Sequence, residues 1–297
     1  MDHVLTLIAG PEAQHLDDSV VAEVRAALKV LGADSEPAAW LSAGRACDVR
    51  FRHLAPEQAD AAACRVLEGW PVDVVAQPLD GRRKLLLVAD MDSTMVTGET
   101  LDELADFAGL KDRIAAITAR AMNGEIGFED ALKERIGLLA GMPMSALDEA
   151  WQRVEYTGGA RKLVRTMKAH GADAVLVSGG FKYFTARVRE HCGFDLDLAN
   201  DFIVADGKLA GVREPILGRE AKLATLISSA AERQIPLSRT VAVGDGANDL
   251  DMIRAAGLGV AFHAKPVVAA EARVRIDHCD LTALLYAQGY RDDEMVE

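Results

Sequence analysis

Several features that would mark a specialised class of protein are missing from the sequence. The four cysteines form no C-x-x-C pair and have no nearby pair of histidines, so we expect free thiols rather than a zinc site. Residues 1–10 contain no long apolar run and open with an acid rather than with Lys or Arg, so neither a secretory signal nor a membrane span is expected there. These absences together predict a protein of the reducing cytoplasm.

Positive charge is also scarce. The chain has 33 Lys and Arg residues against 46 Asp and Glu residues, which gives a formal net charge of −13. Such an acidic surface repels nucleic acid and anionic lipid unless a basic patch intervenes, and we find no basic patch. We therefore expect neither a nucleic acid nor a membrane as partner. With 297 residues, 50% of them hydrophobic, the chain should form about two globular domains.

The first 80 residues have the pattern of a small α+β domain. An apolar run, an amphipathic helix after Asp17, two short strand-like runs, a second helix from Pro56 and a strand at residues 72–77 give the order βαββαβ. This order matches a ferredoxin-like module, and its proportions resemble those of ACT domains, which sense small molecules. The alternative is a structural appendage that binds nothing, for example one that forms a homodimer.

Residues 81–297 alternate strand and helix patterns and predict a larger α/β domain. The polar, turn-prone stretch at residues 78–83 marks the boundary. Residues 99–155 are almost uniformly helical in pattern, which indicates a helical cap inserted at about residues 97–157. Alternating strands and helices favour a doubly wound parallel sheet. After the first strand of this domain, further strands are predicted at residues 174–177, 202–204 and 240–243.

Four short motifs carry unusual chemistry, and each lies at a predicted strand end or helix start. Ligands of parallel sheets lie beyond the carboxyl ends of the strands, so a site is expected at these positions. Taken singly, the first three motifs have ordinary explanations, namely a solvated loop, a common turn and a surface lysine. The motifs are the pair Asp90 and Asp92, the turn Ser178-Gly179-Gly180, the cation Lys222, and the segment with Asp245, Asn248 and Asp249.

Taken in order, the four motifs resemble those of the haloacid dehalogenase-like phosphatases over about residues 85–278. Glu99, the block at residues 121–128 and Arg135 narrow the resemblance to the phosphoserine phosphatases. The resemblance implies a doubly wound HAD-like core with an inserted helical cap. It also implies Mg²⁺-dependent hydrolysis of O-phospho-L-serine to L-serine and phosphate, the last step of serine biosynthesis.

The resemblance further implies a role for each motif residue. Asp90 would attack phosphorus and form an aspartyl-phosphate, and Asp92 would act as general acid and then as general base. Oxygen-only ligands point to Mg²⁺, held by the side chains of Asp90 and Asp245 and by the backbone carbonyl of Asp92. Asp249 ranks below Asp245 as a ligand and would orient groups around the metal. The phosphoryl oxygens would be met by Ser178, Gly179, Gly180, Lys222 and Asn248.

Substrate selection is expected from the cap, because the core motifs contact only a phosphoryl group. Arg135 would pair with the substrate carboxylate and Glu99 with its ammonium group, while Met122 and Phe128 would exclude water. The ordinary alternatives are a surface ion pair, a helix-start acid and packing between helices. Two rival functions stay open. One is a phosphatase or phosphotransferase for another small phosphoester, such as phosphohomoserine or a sugar phosphate, and the other is an amino-acid-sensing regulatory protein.

Overall fold

The computed structural model describes residues 1–13, 16–122 and 125–297, with the backbone alone described for Met122. Asp17 caps the first helix by accepting hydrogen bonds from the N–H groups of Ser19 and Val20. The elements of the N-terminal part are β1 (His3–Ala9), α1 (Asp18–Val30), β2 (Asp34–Ser35), β3 (Ala39–Ser42), β4 (Ala46–Arg52), α2 (Pro56–Val66) and β5 (Val72–Pro78).

The strands of the N-terminal part form one antiparallel sheet in the order β2-β4-β1-β5, with β3 also paired to β4. Side chains alternate between its two faces, as strand geometry requires. Leu5 and Leu7 pack with the apolar sides of α1 and α2. Ile8, Ala46 and Val75 of the same sheet instead pack into the core of the larger part. The sheet is therefore buried on both faces.

The larger part contains the remaining elements. Its N-terminal half holds β6 (Leu86–Ala89), α3 (Thr100–Phe107), α4 (Lys111–Met122), α5 (Phe128–Leu138), α6 (Ser145–Trp151), α7 (Ala160–Ala169), β7 (Asp173–Phe181) and α8 (Lys182–Cys192). The second half holds β8 (Leu196–Asn200), β9 (Phe202–Ala205), β10 (Lys208–Val212), α9 (Arg219–Glu232), β11 (Thr240–Gly244), α10 (Leu250–Ala255), β12 (Leu258–Phe262), α11 (Pro266–Ala269), β13 (Val274–Ile276) and α12 (Ala283–Ala287).

The predicted parallel sheet is confirmed, with strands in the order β13-β12-β11-β6-β7-β8. From β6 the chain first builds outward through β7 and β8. It then returns to the other side of β6 and builds outward through β11, β12 and β13. The direction of winding thus reverses between β6 and β11, and this reversal positions the site described below.

Four helices, α3 to α6, lie between β6 and α7, within the interval predicted for the cap. The two segments that lead into and out of this interval pair with each other, because Val96 and Tyr156 form an antiparallel bridge. Thr97 N–H donates to the Glu155 carbonyl at 2.9 Å beside it. The two ends of the helical region are therefore paired with each other where they join the core.

The strand predicted at residues 202–204 is confirmed, and so is the hairpin that the Asp-Gly turn after it indicates. These residues form β9, which pairs with β10 in a separate hairpin around the turn Asp206-Gly207. The two edges of the parallel sheet are β8 and β13, and the sequence analysis predicted neither of them. Within the described ranges, each helix is too short or too polar to cross a lipid bilayer.

Buried polar contacts join the two parts. Arg82 pairs with Asp48 of β4, with Nη2 lying 2.7 Å from Oδ1, and the same guanidinium donates to two carbonyl oxygens of α12. Asp73 of β5 accepts hydrogen bonds from the backbone N–H groups of residues 277–279 at 2.8 to 3.3 Å. The N-terminal part is thus fixed to the larger part by charged groups that water does not reach.

Candidate active site

The carboxyl ends of β6 and β11 lie side by side at the point where the winding of the sheet reverses. Asp90 follows the last residue of β6, and Asp245 follows the last residue of β11. Ala89 lies opposite Val243, and the Asp90 N–H donates to the Val243 carbonyl at 3.0 Å. A reversal of this kind opens a crevice beyond the strand ends, where α/β sheets bind ligands.

Three carboxylates and one ammonium group lie at this crevice. One oxygen from each of Asp90, Asp245 and Asp249 lies within 4.8 Å of the others, and all three residues are buried. Lys222, which is 2% exposed, places Nζ 2.7 Å from Asp90 Oδ1 and 2.6 Å from Asp249 Oδ1. The Gly246 N–H donates to the second oxygen of Asp249 at 3.1 Å. Both oxygens of Asp249 are therefore engaged within the protein.

The electrostatics of this cluster favour a bound cation. Burial and the neighbouring charge of Asp90 raise the pKa of Asp249 to about 7, and the same two causes raise the pKa of Asp245. Burial acts to lower the pKa of Lys222, but the charges of Asp90 and Asp249 outweigh it and raise that pKa. Three carboxylates thus share one buried ammonium group. Because the donors are all oxygens, the residues present fit a hard divalent cation.

Asp92 reaches the same crevice through the turn that follows β6. Its Oδ1 accepts the Thr100 N–H at 2.8 Å, and its Oδ2 accepts the Ser178 hydroxyl at 3.2 Å. The turn is tight, since Ser93 adopts a left-handed φ of 55°. Burial, helped by the charge of Asp90, raises the pKa of Asp92 to about 6. A carboxyl group with such a pKa can both give and take a proton near neutral pH.

The end of β7 brings a hydroxyl group and closely approaching backbone to the crevice. Ser178 Oγ accepts the Gly180 N–H at 2.8 Å. A Cβ atom at Gly180 would lie 3.0 Å from Asp92 Oδ2, and one at Gly179 would lie 3.3 Å from Phe128 Cζ. A side chain at either position would therefore be tight against its neighbour, and the glycine peptide groups can approach a ligand closely.

Charges of both signs come from the cap. Glu99 Oε1 accepts the Ser93 hydroxyl at 3.0 Å, and burial, with the charge of Asp92, raises the pKa of Glu99 to about 7. Arg135 of α5 is half-buried, and its Nε lies 3.4 Å from the Ala131 carbonyl oxygen. Burial lowers the pKa of Arg135, although the charges of Asp102 and Glu99 oppose this effect. The cap thus offers an anion and a cation to a small ligand.

A cavity of about 160 Å³ brings most of the predicted residues together. Lys222 and Asp249 are not part of its wall, but Lys222 contacts Asp90, which is, and Asp249 contacts Lys222. The side chain of Met122 lies outside the described residues. Lining residues without a predicted role are Thr100, Leu101, Leu132 and Lys265. Predicted residues that line it are Asp90, Asp92, Glu99, Phe128, Arg135, Ser178, Gly179, Gly180, Asp245 and Asn248.

Lys265 is the charged residue of the wall to which the sequence analysis assigned no role. Its Nζ lies 3.6 Å from Asp245 Oδ2, and its N–H donates to the Asp245 carbonyl at 3.1 Å. It follows β12, which is the parallel neighbour of β11, and so lies at the same edge of the sheet. The apolar run of residues 258–262 is the feature of the sequence that places Lys265 close to a strand end.

Comparison with known proteins agrees with this geometry. A family model described as haloacid dehalogenase-like hydrolase matches residues 87–254, which is more than half of the chain. A solved structure of a substrate-bound phosphoserine phosphatase complex is 39% identical, has a TM-score of 0.64, and covers 68% of this chain and 97% of its own. The chain belongs to the phosphoserine phosphatase family of the haloacid dehalogenase-like hydrolases.

Two other proteins show how far the similarity of this phosphoserine phosphatase family member extends. A phosphoserine phosphatase from Streptomyces coelicolor is 44% identical over 228 residues, which are 76% of this chain but 56% of that protein. The chain therefore spans little more than half the length of this relative. A HAD family hydrolase from Salmonella enterica serovar Typhi has a crystal structure that covers 97% of this chain and 99% of its own, with 26% identity and a TM-score of 0.84. The similarity in fold thus includes the N-terminal part.

Proposed function

We propose that the protein hydrolyses O-phospho-L-serine to L-serine and phosphate with the help of Mg²⁺. The cavity carries this proposal, because its wall combines the carboxylates at the strand ends with Glu99 and Arg135 of the cap. Phosphoserine has a carboxylate that would meet Arg135, an ammonium group that would meet Glu99, and a phosphoryl group that would meet Lys222 and the bound cation. The family membership and the phosphoserine phosphatases among its relatives support the same substrate.

Mg²⁺ would be held by the side chains of Asp90 and Asp245 and by the backbone carbonyl of Asp92. Asp249 would orient the groups around the ion rather than bind the ion itself. Lys222 and the Gly246 N–H already donate hydrogen bonds to its two oxygens. When bound, the ion would supply positive charge to the phosphoryl oxygens. The oxygen-only donor set and the mutual repulsion of the carboxylates support this assignment.

Asp90 and Asp92 would share two displacement steps. In the first, an oxygen of Asp90 attacks phosphorus while the bond from phosphorus to the serine oxygen breaks, and Asp92 protonates that leaving oxygen. In the second, Asp92 takes a proton from water as the water oxygen attacks phosphorus and the bond to Asp90 breaks. Phosphate leaves, and both carboxyl groups return to their starting state. The raised pKa of Asp92 supports its double role.

The remaining residues would bind the substrate. Charge on the phosphoryl oxygens in the transition state meets five groups that the strand ends and α9 supply. In the cap, Arg135 holds the carboxylate and Glu99 the ammonium group, while Phe128 and Met122 keep water out. Phe128 supports this role by its place against Gly179. The five phosphoryl-binding groups are Ser178, Gly179, Gly180, Lys222 and Asn248.

We further propose that residues 1–80 form a ferredoxin-like, ACT-like domain and residues 81–297 the phosphatase domain, with the cap at about 97–157. The strand order β2-β4-β1-β5 and the two helices on one face support the first assignment. A homodimer formed through this domain and a cytoplasmic location stay predictions. Light scattering on the purified protein measures the oligomeric state.

The decisive experiment measures phosphate release from a panel of phosphoesters with and without Mg²⁺. The panel is L-phosphoserine, phosphothreonine, phosphohomoserine, a sugar phosphate and p-nitrophenyl phosphate, and Asp90→Asn is the inactive control. Mg²⁺-dependent preference for L-phosphoserine supports the proposal. Preference for another member replaces the substrate but keeps the chemistry. Activity that survives Asp90→Asn overturns the mechanism, and no release from any member favours the regulatory alternative.

Arg135→Ala tests the substrate assignment within that panel. Loss of a charged contact to the substrate costs about 2–5 kcal/mol, so kcat/KM for L-phosphoserine should fall about 30-fold or more. The value for p-nitrophenyl phosphate, which has no carboxylate, should change little. Arg153→Ala is the matched control, because Arg153 pairs with Asp106 on the exposed side of the helical region. Equal losses on both substrates would refute the role of Arg135.

A further inference from the structure

Asn200 is a buried polar residue with no part in the proposed chemistry. It ends β8 and is 2% exposed. Its Nδ2 donates to the Gly179 carbonyl at 2.9 Å, and its Oδ1 accepts the Leu217 N–H at 2.7 Å. Nδ2 also lies 3.4 Å from the Leu217 carbonyl. One side chain therefore joins two backbone segments that are 38 residues apart in sequence, as the numbers of Gly179 and Leu217 show.

Both joined segments lead to groups that contact the phosphoryl site. Gly179 lies near the end of β7 and directly follows Ser178, whose hydroxyl contacts Asp92. Leu217 is two residues before α9, and the first turns of that helix carry Lys222 to Asp90. A shift between the segments would therefore move a hydroxyl and peptide groups on one side relative to an ammonium group on the other.

The ring of Phe128 covers the same two segments from the cap. A Cβ atom at Gly179 would lie 3.3 Å from Phe128 Cζ, and one at Gly218 would lie 3.8 Å from Phe128 Cδ1. The ring therefore rests on both glycine backbones, while Asn200 bonds to the peptide groups beside them. The distance between the two segments, which Asn200 sets, therefore also shapes the surface that the Phe128 ring contacts.

We propose that Asn200 is a positioning residue that fixes the distance between the end of β7, which carries Ser178, and the start of α9. Only a side chain with both a donor and an acceptor can satisfy Gly179 and Leu217 together. In Asn200→Asp, the carboxylate would face the Gly179 carbonyl, so two acceptors would oppose each other in a buried place. The inference rests on the proposed phosphatase activity but not on phosphoserine as its substrate.

The test compares Asn200→Asp and Asn200→Ser with wild type on L-phosphoserine and on p-nitrophenyl phosphate. Displacement of catalytic groups by about 1 Å costs on the order of 10²-fold in rate, so kcat should fall about that much in Asn200→Asp. It should fall less in Asn200→Ser, whose hydroxyl brings no charge but is one atom too short to bridge Gly179 and Leu217 as Asn200 does. KM should change less than kcat. The loss should be equal for the two substrates, because the phosphoryl group is what they share. Calorimetry with Mg²⁺ and inorganic phosphate should show affinity about 10-fold weaker in Asn200→Asp.

Thr185→Val is the matched control. It removes a buried hydrogen bond of 2.7 Å from α8 to Asp197 in the same strand β8, but this bond does not touch the site. Its kcat should stay within twofold of wild type. If Thr185→Val loses as much kcat as Asn200→Ser at equal melting temperature, or if Asn200→Ser keeps wild-type kcat, the proposal is overturned. A loss confined to phosphoserine also overturns it, since it places the effect in the cap.

Failure of the proposed function is separate from failure of this inference. If wild type does not hydrolyse L-phosphoserine but does hydrolyse p-nitrophenyl phosphate, Asn200 is tested on the second substrate and on phosphate affinity. If Asn200→Asp does not fold, Asn200→Ser carries the test with the same criteria.

Discussion

The buried ion pair between Arg82 and Asp48 gives the sharpest test of how the two parts of the chain are held together. Arg82 is 8% exposed and Asp48 3% exposed. The guanidinium also donates to Thr6 Oγ1 at 2.8 Å and to the carbonyl oxygens of Tyr286 and Ala287. Arg82→Ala would leave the Asp48 carboxylate buried with the Thr6 hydroxyl as its remaining side-chain partner.

The expected cost follows from this geometry. A carboxylate left in a buried place without its counter-charge destabilises a fold by about 3–5 kcal/mol. The exposed pair of Arg52 and Asp34 lies in the same sheet, with side chains about half exposed. Breaking it by Arg52→Ala should cost less than about 1 kcal/mol, because water solvates the charges that remain. Replacing Asp48 together with Arg82 by alanine should recover at least about 1 kcal/mol, since the unpaired charge is removed as well.

The assay is urea unfolding at pH 7, followed by circular dichroism and by tryptophan fluorescence, with the change in midpoint compared among these variants. If Arg82→Ala costs no more than Arg52→Ala, burial of the pair is not what makes it strong, and the reasoning fails. If the double variant is no more stable than Arg82→Ala, the cost does not come from the charge of Asp48.

Two further predictions concern pH and metal. Burial raises the pKa of Asp60 to about 6, so the carboxyl group favours folding while it is protonated and loses that contribution as pH rises from about 4 through 6. Asp60→Asn should therefore raise the free energy of unfolding by about 1–2 kcal/mol at pH 8, after allowance for partial solvent screening, and leave it unchanged at pH 4; a gain at both pH values would contradict this. Mg²⁺ at 100 times its dissociation constant should stabilise the protein by about 2.7 kcal/mol in thermal unfolding, and Asp245→Asn should lose most of that gain. An undiminished gain in Asp245→Asn would place the ion elsewhere.

The motifs of Asp90, Ser178 and Asp245 were predictable from the apolar strands that precede them, whereas Lys222 lies in the helix α9. The strands that contain Val88 and Val243 are apolar runs, which are typical of buried parallel strands. Parallel strands bring their carboxyl ends to one edge of the sheet. Asp90 and Asp245 were therefore expected at the same edge, and the pairing of β6 with β11 makes them neighbours. The same logic applies to Lys265, which follows β12, but the sequence analysis assigned it no role because it belongs to none of the four motifs.

Contacts set by distant parts of the chain were beyond the reach of sequence patterns. The strand β8 contains Asp197, which makes the run look like a polar loop, yet Thr185 and Arg189 satisfy that carboxylate inside the fold. Missing β8 also hid Asn200, whose role depends on two segments that no local pattern connects. The bond of Arg82 to Asp48 likewise spans 34 residues and joins parts predicted as separate domains.

The hydrogen bonds that Asp73 accepts have a consequence for any attempt to dissect the chain. The loop at residues 277–279 also supports the site, because the Cys279 carbonyl lies 2.9 Å from His263 Nε2, two residues before Lys265. The same stretch continues to Leu281, whose N–H donates to the Gly158 carbonyl at 3.0 Å, where the helical insertion rejoins the core. A fragment that starts at residue 81 would keep every catalytic motif and still expose three unbonded N–H groups at this loop. An excised catalytic half would thus need new side chains there before it could be compared with the whole protein.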